Sequence, residues 1–251
     1  MSENISQNDD LLFYSTISFC SNHKLDPELL KLIENGSYNL IVTGTLGVGK
    51  TTAIKLINNI LKYNHISVKS YLEYINYNNV GQEIFQMKMN GEVSAFTFQN
   101  YILDIWNDIL KKNDFKHSKG INIFERLPYD AVYCFSKKEH DEGNITDDEY
   151  ELIIQRYKRL INEHAMFEYT SDIKYSRLIN NDMTRTIVEI FNIIKNDIEQ
   201  GIKNRCICLD IDDKELYYER LGIRNRTNED KYTQKILGEY KDYYYNSFIN
   251  K

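Results

Sequence analysis

Residues 39–51 read NLIVTGTLGVGKT, and this stretch decides the fold. NLIVT is a short β-rich run ending at a glycine, and Thr51–Tyr63, which follows the turn, carries Ile54, Ile57, Ile60 and Leu61 at helical spacing. Strand, glycine-rich turn and helix thus follow one another directly. The turn, Gly44–Thr51, fits G-x-x-x-x-G-K-[ST]. Its glycines let the backbone curl so that successive N–H groups point at phosphate oxygens, and the helix N-terminus adds about half a positive charge there. In this geometry Gly44, Thr45, Gly47, Val48, Gly49, Lys50, Thr51 and Thr52 surround the phosphates of a nucleoside triphosphate. Lys50 bridges the outer phosphates and Thr51 offers a hydroxyl to Mg²⁺. The motif alone does not name the acceptor, because GTPases, motor ATPases and small-molecule kinases share it.

Working outward, further strands are predicted at His65–Leu72, Ile121–Phe124 and Arg205–Leu209, separated by long helical patterns. Those patterns cover Glu92–Leu110, Tyr129–His140, Asp147–Ile161 and Thr186–Ile202, with Thr146 and Glu149 forming a capping box, and a last helix runs over about Glu229–Phe248. The alternation argues for crossover units and an α/β fold: a parallel sheet of four or five strands flanked by helices. Residues 1–37 read as a helical N-terminal extension and 38–251 as one P-loop domain, with the weakly patterned stretch within 162–200 as an insertion.

A chain of 251 residues buries about 70–75% of its unfolded surface, enough for a core without disulfides or a structural metal. The balance of 31 basic against 37 acidic residues, net −6, leaves no excess to neutralise a nucleic-acid backbone, so no nucleic-acid partner is expected. No apolar run reaches the ~18–20 residues of a membrane span, and MSENISQNDD lacks the features of a signal peptide. The expected location is cytoplasmic, with no membrane partner. Cys20, Cys134, Cys206 and Cys208 form no C-x-x-C pair and read as packed, reduced thiols. The 20 tyrosines are discounted individually as a compositional bias.

Two more segments carry chemistry. The third strand runs into ERLPYDAVYCF (Glu125–Phe135), which puts Glu125 and Arg126 at the carboxyl edge of the sheet, where open α/β sheets bind ligands. Glu125 is placed to hold Mg²⁺ and Arg126 to hold phosphoryl oxygens. Near the C-terminus, ERLGIRNRTNE (Glu219–Glu229) crowds Arg220, Arg224 and Arg226 into seven residues, with Arg220 and Arg224 on one helical face. Guanidinium groups suit polyphosphate recognition, so this segment reads as an arginine-rich lid.

In this combination the chain resembles the deoxynucleoside kinases, including the herpesvirus-type thymidine kinases. The resemblance rests on the phosphate loop, on ERLPYDAVYCF, on ERLGIRNRTNE with its Arg-x-Arg-x-x-Glu, on GEVSAFTFQNYILDIW (Gly91–Trp106) and on KSYLEYI (Lys69–Ile75), in the family's order. It implies a P-loop kinase that uses ATP and Mg²⁺ to phosphorylate a deoxynucleoside at its 5′-hydroxyl, with thymidine or another pyrimidine deoxynucleoside as substrate. Glu73 would then be the general base, with Lys50, Arg126 and Arg220 also catalytic. Arg224 and Arg226 would act on ATP, while Gln99, Trp106, Arg126, Ala131, Phe135 and Glu229 would bind the substrate. Mg²⁺ would sit between Thr51 and Glu125. Three departures stand out: Glu73 is followed by Tyr74 where the family has proline, Leu127 replaces a serine or histidine, and no fifth strand is evident after the lid. A nucleoside monophosphate kinase and a non-catalytic P-loop protein are the alternatives. Pairing into a homodimer is left open.

Overall fold

The computed structural model describes residues 14–22, 25–73, 79–113, 119–164, 173–224 and 238–244. Helices α1 (14–22) and α2 (Pro27–Asn35) precede β1 (Ser37–Thr43), which leads through the glycine turn into α3 (Lys50–Tyr63). Next come β2 (Val68–Tyr71), α4 (Asn79–Met89), α5 (Ala95–Lys112) and β3 (Gly120–Glu125). A π-helical segment, Asp130–Ser136, continues into α6 (Lys137–Asp141), and α7 (Asp147–His164) follows. The chain then forms β4 (Lys174–Ile179), α8 (Met183–Glu199), β5 (Asn204–Asp210), α9 (Lys214–Arg224) and a short helix over 238–244, α10.

The five strands form one sheet in the order β2-β3-β1-β5-β4, every neighbouring pair parallel. Alternate residues of the central strands face opposite sides, as the strand period of two requires. Ile41, Phe124 and Cys206 pack with α5, the π-helical segment and α7. Leu40, Val42, Ile123 and Ile207 pack with α2, α3 and α8 on the other face. Both faces are covered, which is why these strands read as near-continuous apolar runs.

One polar ladder crosses the sheet and fixes its register. Asn39 is aligned with Asn122 on β3 and Asn204 on β5. Its Nδ2 donates to Asn204 Oδ1 at 2.8 Å, and its Oδ1 accepts from Asn122 Nδ2 at 2.9 Å. A slip of one residue would turn these amides to the opposite face and leave them unpaired among aliphatic side chains.

The structure departs from the sequence expectation in one important place. Ahead of α8, which falls on the helix expected over Thr186–Ile202, residues within the weakly patterned stretch form β4, so the fifth strand precedes β5 in the chain rather than following the lid. The strand escaped notice because it lies at the sheet edge, where only Leu178 is buried and no apolar run is needed. Smaller differences also appear. The expected Tyr129–His140 helix is widened to a π-helix over Asp130–Ser136, and the helical prelude is divided into α1 and α2 at Pro27. The capping box forms as expected, Thr146 Nα donating to Glu149 Oε2 at 2.9 Å.

Because every strand is parallel, all five end on one edge. That edge collects Gly44 after β1, Glu73 just past β2, Glu125 and Arg126 at the end of β3, Asn180 after β4 and Asp210 at the end of β5. Strand order reverses about β1, so the phosphate loop lies at the topological switch, where open sheets form their crevice.

Candidate active site

The phosphate loop is closely packed from outside at two of its glycines. Gly49 has φ 90°, in the left-handed region, and a Cβ there would lie 2.7 Å from Asn180 Nδ2. Only glycine meets both conditions without strain. Across the loop, a Cβ on Gly47 would lie 2.7 Å from Leu221 Cδ2, so α9 rests directly on the loop. Lys50 is buried and its Nζ donates to Thr45 O at 2.7 Å. Thr52 is exposed.

At the first turn of α3, Thr51 Oγ1 donates to Glu125 Oε1 at 2.8 Å. A hydroxyl and a carboxylate oxygen at this separation are hard ligands suited to Mg²⁺, which keeps several waters and takes few protein ligands. The glycine cradle, the inward lysine and this oxygen pair therefore fit a magnesium-bound nucleoside triphosphate.

Arg126 is the centre of the site. It is 5% exposed and has φ 66°, a left-handed conformation that costs about 1–3 kcal/mol for a non-glycine residue and recurs at functional sites. Its backbone N–H is fixed to Val42 O at 3.1 Å. Its guanidinium forms an ion pair with Glu73, donates to Gly44 O at 3.3 Å, and lies 5.0 Å from the Phe135 ring centroid and 5.9 Å from that of Tyr244. Among the described residues its buried Nε has no hydrogen-bond partner. Glu73 is 5% exposed, so the pair is a desolvated one, and either partner alone would be a costly buried charge.

Beside this pair opens an apolar cleft lined by Leu72, Ile102, Ile105, Trp106, Ile109, Ala131 and Phe135, with Glu73, Glu125 and Arg126 at its polar end. Trp106, Ala131 and Phe135 thus line the same cleft. Gln99 lies two turns before Trp106 on α5, is 2% exposed, and has a buried Oε1 with no partner among the described residues, but it does not line this cleft. Arg220 reaches the loop from α9, its Nη1 donating to Asn180 O at 2.9 Å, and burial holds its pKa below the usual guanidinium value. Arg224 ends α9; its side chain, together with Arg226 and Glu229, lies outside the described residues.

Three residues that sequence reading did not single out belong here. Asp130, 1% exposed, accepts from Thr43 Oγ1 and from Leu127 N at 2.8 Å, so its carboxylate is committed to the site's floor. Tyr244 on α10 covers Arg126 and packs edge-on to Phe135, their centroids 5.8 Å apart. Asn180 backs the phosphate loop, with its Nδ2 donating to Val48 O at 2.7 Å. Asp130 sat inside a quoted motif and could have been found there; Tyr244 was one tyrosine among 20, and Asn180 lay in the apparent insertion.

A parallel sheet with a phosphate loop at its switch point, an acid and an arginine at the end of the neighbouring strand and an apolar cleft beside them defines a P-loop kinase fold. A family model for deoxynucleoside kinases matches residues 40–170, just over half of the chain, and the chain belongs to that family. It is accordingly a nucleotide-binding transferase of the deoxynucleoside kinase type. No curated protein matches the chain. Among the described residues, no helix is long and apolar enough to cross a membrane.

Proposed function

We propose that this chain transfers the γ-phosphoryl group of ATP to the 5′-hydroxyl of a pyrimidine deoxynucleoside, with thymidine preferred. The observation that carries the proposal is that Glu73, Glu125 and Arg126 line one cleft together with Trp106, Phe135 and isoleucines of α5. A sugar hydroxyl needs polar partners and a flat base needs apolar ones, and the cleft lining supplies both.

In this reading the deoxynucleoside lies with its base between Trp106 and Phe135 and its 5′-hydroxyl toward Glu73. The Glu73 carboxylate orients that hydroxyl and takes its proton as the new O–P bond forms. A loose phosphoryl transition state asks little more of a base. Arg126, already paired with Glu73, turns Nε–H toward the developing charge. Lys50 and the loop N–H groups hold the outer phosphates, and Arg220 with Arg224 and Arg226 closes over them as a lid, with Glu229 completing the lid on the substrate side. Thr51 and Glu125 would hold Mg²⁺, which supplies charge neutralisation at the transferred group. Residues 38–251 act as one catalytic unit, and a homodimer is compatible with it.

The pyrimidine preference is supported by the cleft lining. Ala131 offers no hydrogen-bonding side chain to a purine edge, Asp130 is committed to Thr43 and Leu127, and the bulky Trp106 is part of the wall. Forcing a bicyclic base against such a wall costs about 1–3 kcal/mol. Competition among the four deoxynucleosides, with MgATP fixed, tests this. Thymidine should have the highest kcat/KM, and a purine deoxynucleoside exceeding both pyrimidines would refute it.

A further inference from the structure

Asn180 stands just past β4, 132 positions from the loop residue it touches, and is fully buried. Both ends of its amide are engaged: Nδ2 donates to Val48 O at 2.7 Å, and Oδ1 accepts from Thr186 Oγ1 at 3.1 Å, a hydroxyl shared with Asp182 O at 2.8 Å. Because Val48 O is an acceptor, the amide must face it with nitrogen, and the Thr186 hydroxyl holds the other end. Its main-chain oxygen accepts from Arg220 Nη1 at 2.9 Å. One residue therefore joins the phosphate loop, the start of α8 and the helix that carries the arginines.

The geometry at Val48 gives this junction a consequence. In a trans peptide the C=O and the following N–H point in opposite directions. Tying Val48 O back to Asn180 therefore turns the Gly49 N–H away from the Asn180 amide, an orientation suited to meeting a phosphate oxygen on that side. Free loop peptides can rotate and would have to be ordered when the phosphates bind; here one is ordered in advance. The close approach also explains Gly49, where a Cβ would lie 2.7 Å from Asn180 Nδ2.

We infer that Asn180 is a positioning residue for the triphosphate donor: its side chain presets the Val48–Gly49 peptide, and its carbonyl seats Arg220 over the same phosphates. The inference rests on the reading of the loop as a triphosphate site. It assigns to the β4–α8 junction a role in donor binding that is separate from the nucleoside cleft.

The test uses the full chain and two readouts. MgATP binding is measured by calorimetry and donor KM by steady-state kinetics, while thymidine binding is followed through Trp106, the single tryptophan and a lining residue of the cleft. Asn180→Ala should weaken MgATP binding and raise donor KM at least tenfold while thymidine affinity stays within twofold of wild type. Because Asn180 is buried, Thr186→Val provides a milder variant that keeps the amide and removes the hydroxyl shared between Asn180 Oδ1 and Asp182 O, and it should shift donor KM in the same direction by about two- to fivefold. Donor affinity within twofold of wild type in a folded Asn180→Ala or Thr186→Val protein overturns the inference, as does equal weakening at both sites. A wild-type chain that binds no MgATP overturns the functional reading, and the inference with it.

Discussion

Thr51 Oγ1 and Glu125 Oε1 are 2.8 Å apart, although 74 positions separate them in the chain. This contact joins the start of α3 to the end of β3 and sets the phosphate loop beside the acid-arginine pair. Replacing Glu125 by Gln preserves the shape and the hydroxyl's acceptor but removes a charge from the proposed Mg²⁺ position. The expected result is a higher Mg²⁺ requirement, read as a rise of tenfold or more in the Mg²⁺ concentration giving half-maximal turnover, with little change in melting temperature.

Lys50 donates to Thr45 O inside the loop, and in the proposed mechanism its ammonium group holds the outer phosphates. Lys50→Ala should reduce turnover about 10³-fold, equivalent to about 4 kcal/mol of transition-state stabilisation. Near-normal turnover in a folded mutant would contradict the kinase account.

Glu73 pairs with Arg126, and in the proposed mechanism it also takes the proton of the 5′-hydroxyl. Glu73→Gln removes the acceptor charge and should lower kcat by roughly 10²–10⁴-fold. The same change leaves a buried guanidinium unpaired, so the mutant should also lose stability, and melting temperature separates the two effects. A kcat loss below about threefold would pass the base role to Glu125.

The thiols give a check on the fold that does not depend on activity. Cys134 and Cys206 are fully buried, Cys208 is 8% exposed, and Cys20 is partly exposed. Burial, with the nearby Asp210 and Asp130 charges, pushes the Cys208 thiol up to about 12, so it stays protonated at neutral pH. Titration with a disulfide reagent at pH 8 should modify one thiol quickly and the other three only after denaturation. Rapid reaction of Cys206 or Cys208 would place β5 wrongly.

Asp210, at the carboxyl end of β5, supplies the pH dependence of stability. Its burial opposes ionisation, but Lys241, whose Nζ is 2.9 Å from Oδ1, and Arg177 hold its pKa below the usual carboxylate value. A carboxylate depressed in the folded state stabilises the fold above its unfolded pKa of about 3.9, and that contribution is lost as pH falls through the folded value. Wild type should therefore melt higher than Asp210→Asn at pH 7, and the gap should close as the pH falls below about 4. A gap that is constant between pH 7 and pH 3 would show that the charge contributes nothing.

How much of this was legible in the chain depends on how each residue declares itself. The loop was legible because its glycines, Lys50 and Thr51 are a contiguous pattern with a local physical cause. Glu125 and Arg126 followed from the same logic, since the end of a buried strand marks the sheet edge. Strand β4 was not legible, because an edge strand needs no apolar run, and Asn180 was hidden with it. The Tyr244 contact with Arg126 spans more than a hundred positions and arises from packing, which no local pattern encodes. The lid residues Arg226 and Glu229 remain readings of the sequence, and Arg226→Ala should lower kcat more than it raises nucleoside KM if they close over the phosphates.

The most direct measurement incubates the purified chain with MgATP and each deoxynucleoside or deoxynucleoside monophosphate in turn, and separates the products chromatographically. The account predicts stoichiometric ADP and 5′-monophosphate from deoxynucleosides, fastest with thymidine, and no diphosphate from the monophosphates. Diphosphate formation from a monophosphate with no reaction of any deoxynucleoside, or ATP hydrolysis without a phosphorylated product, would contradict it.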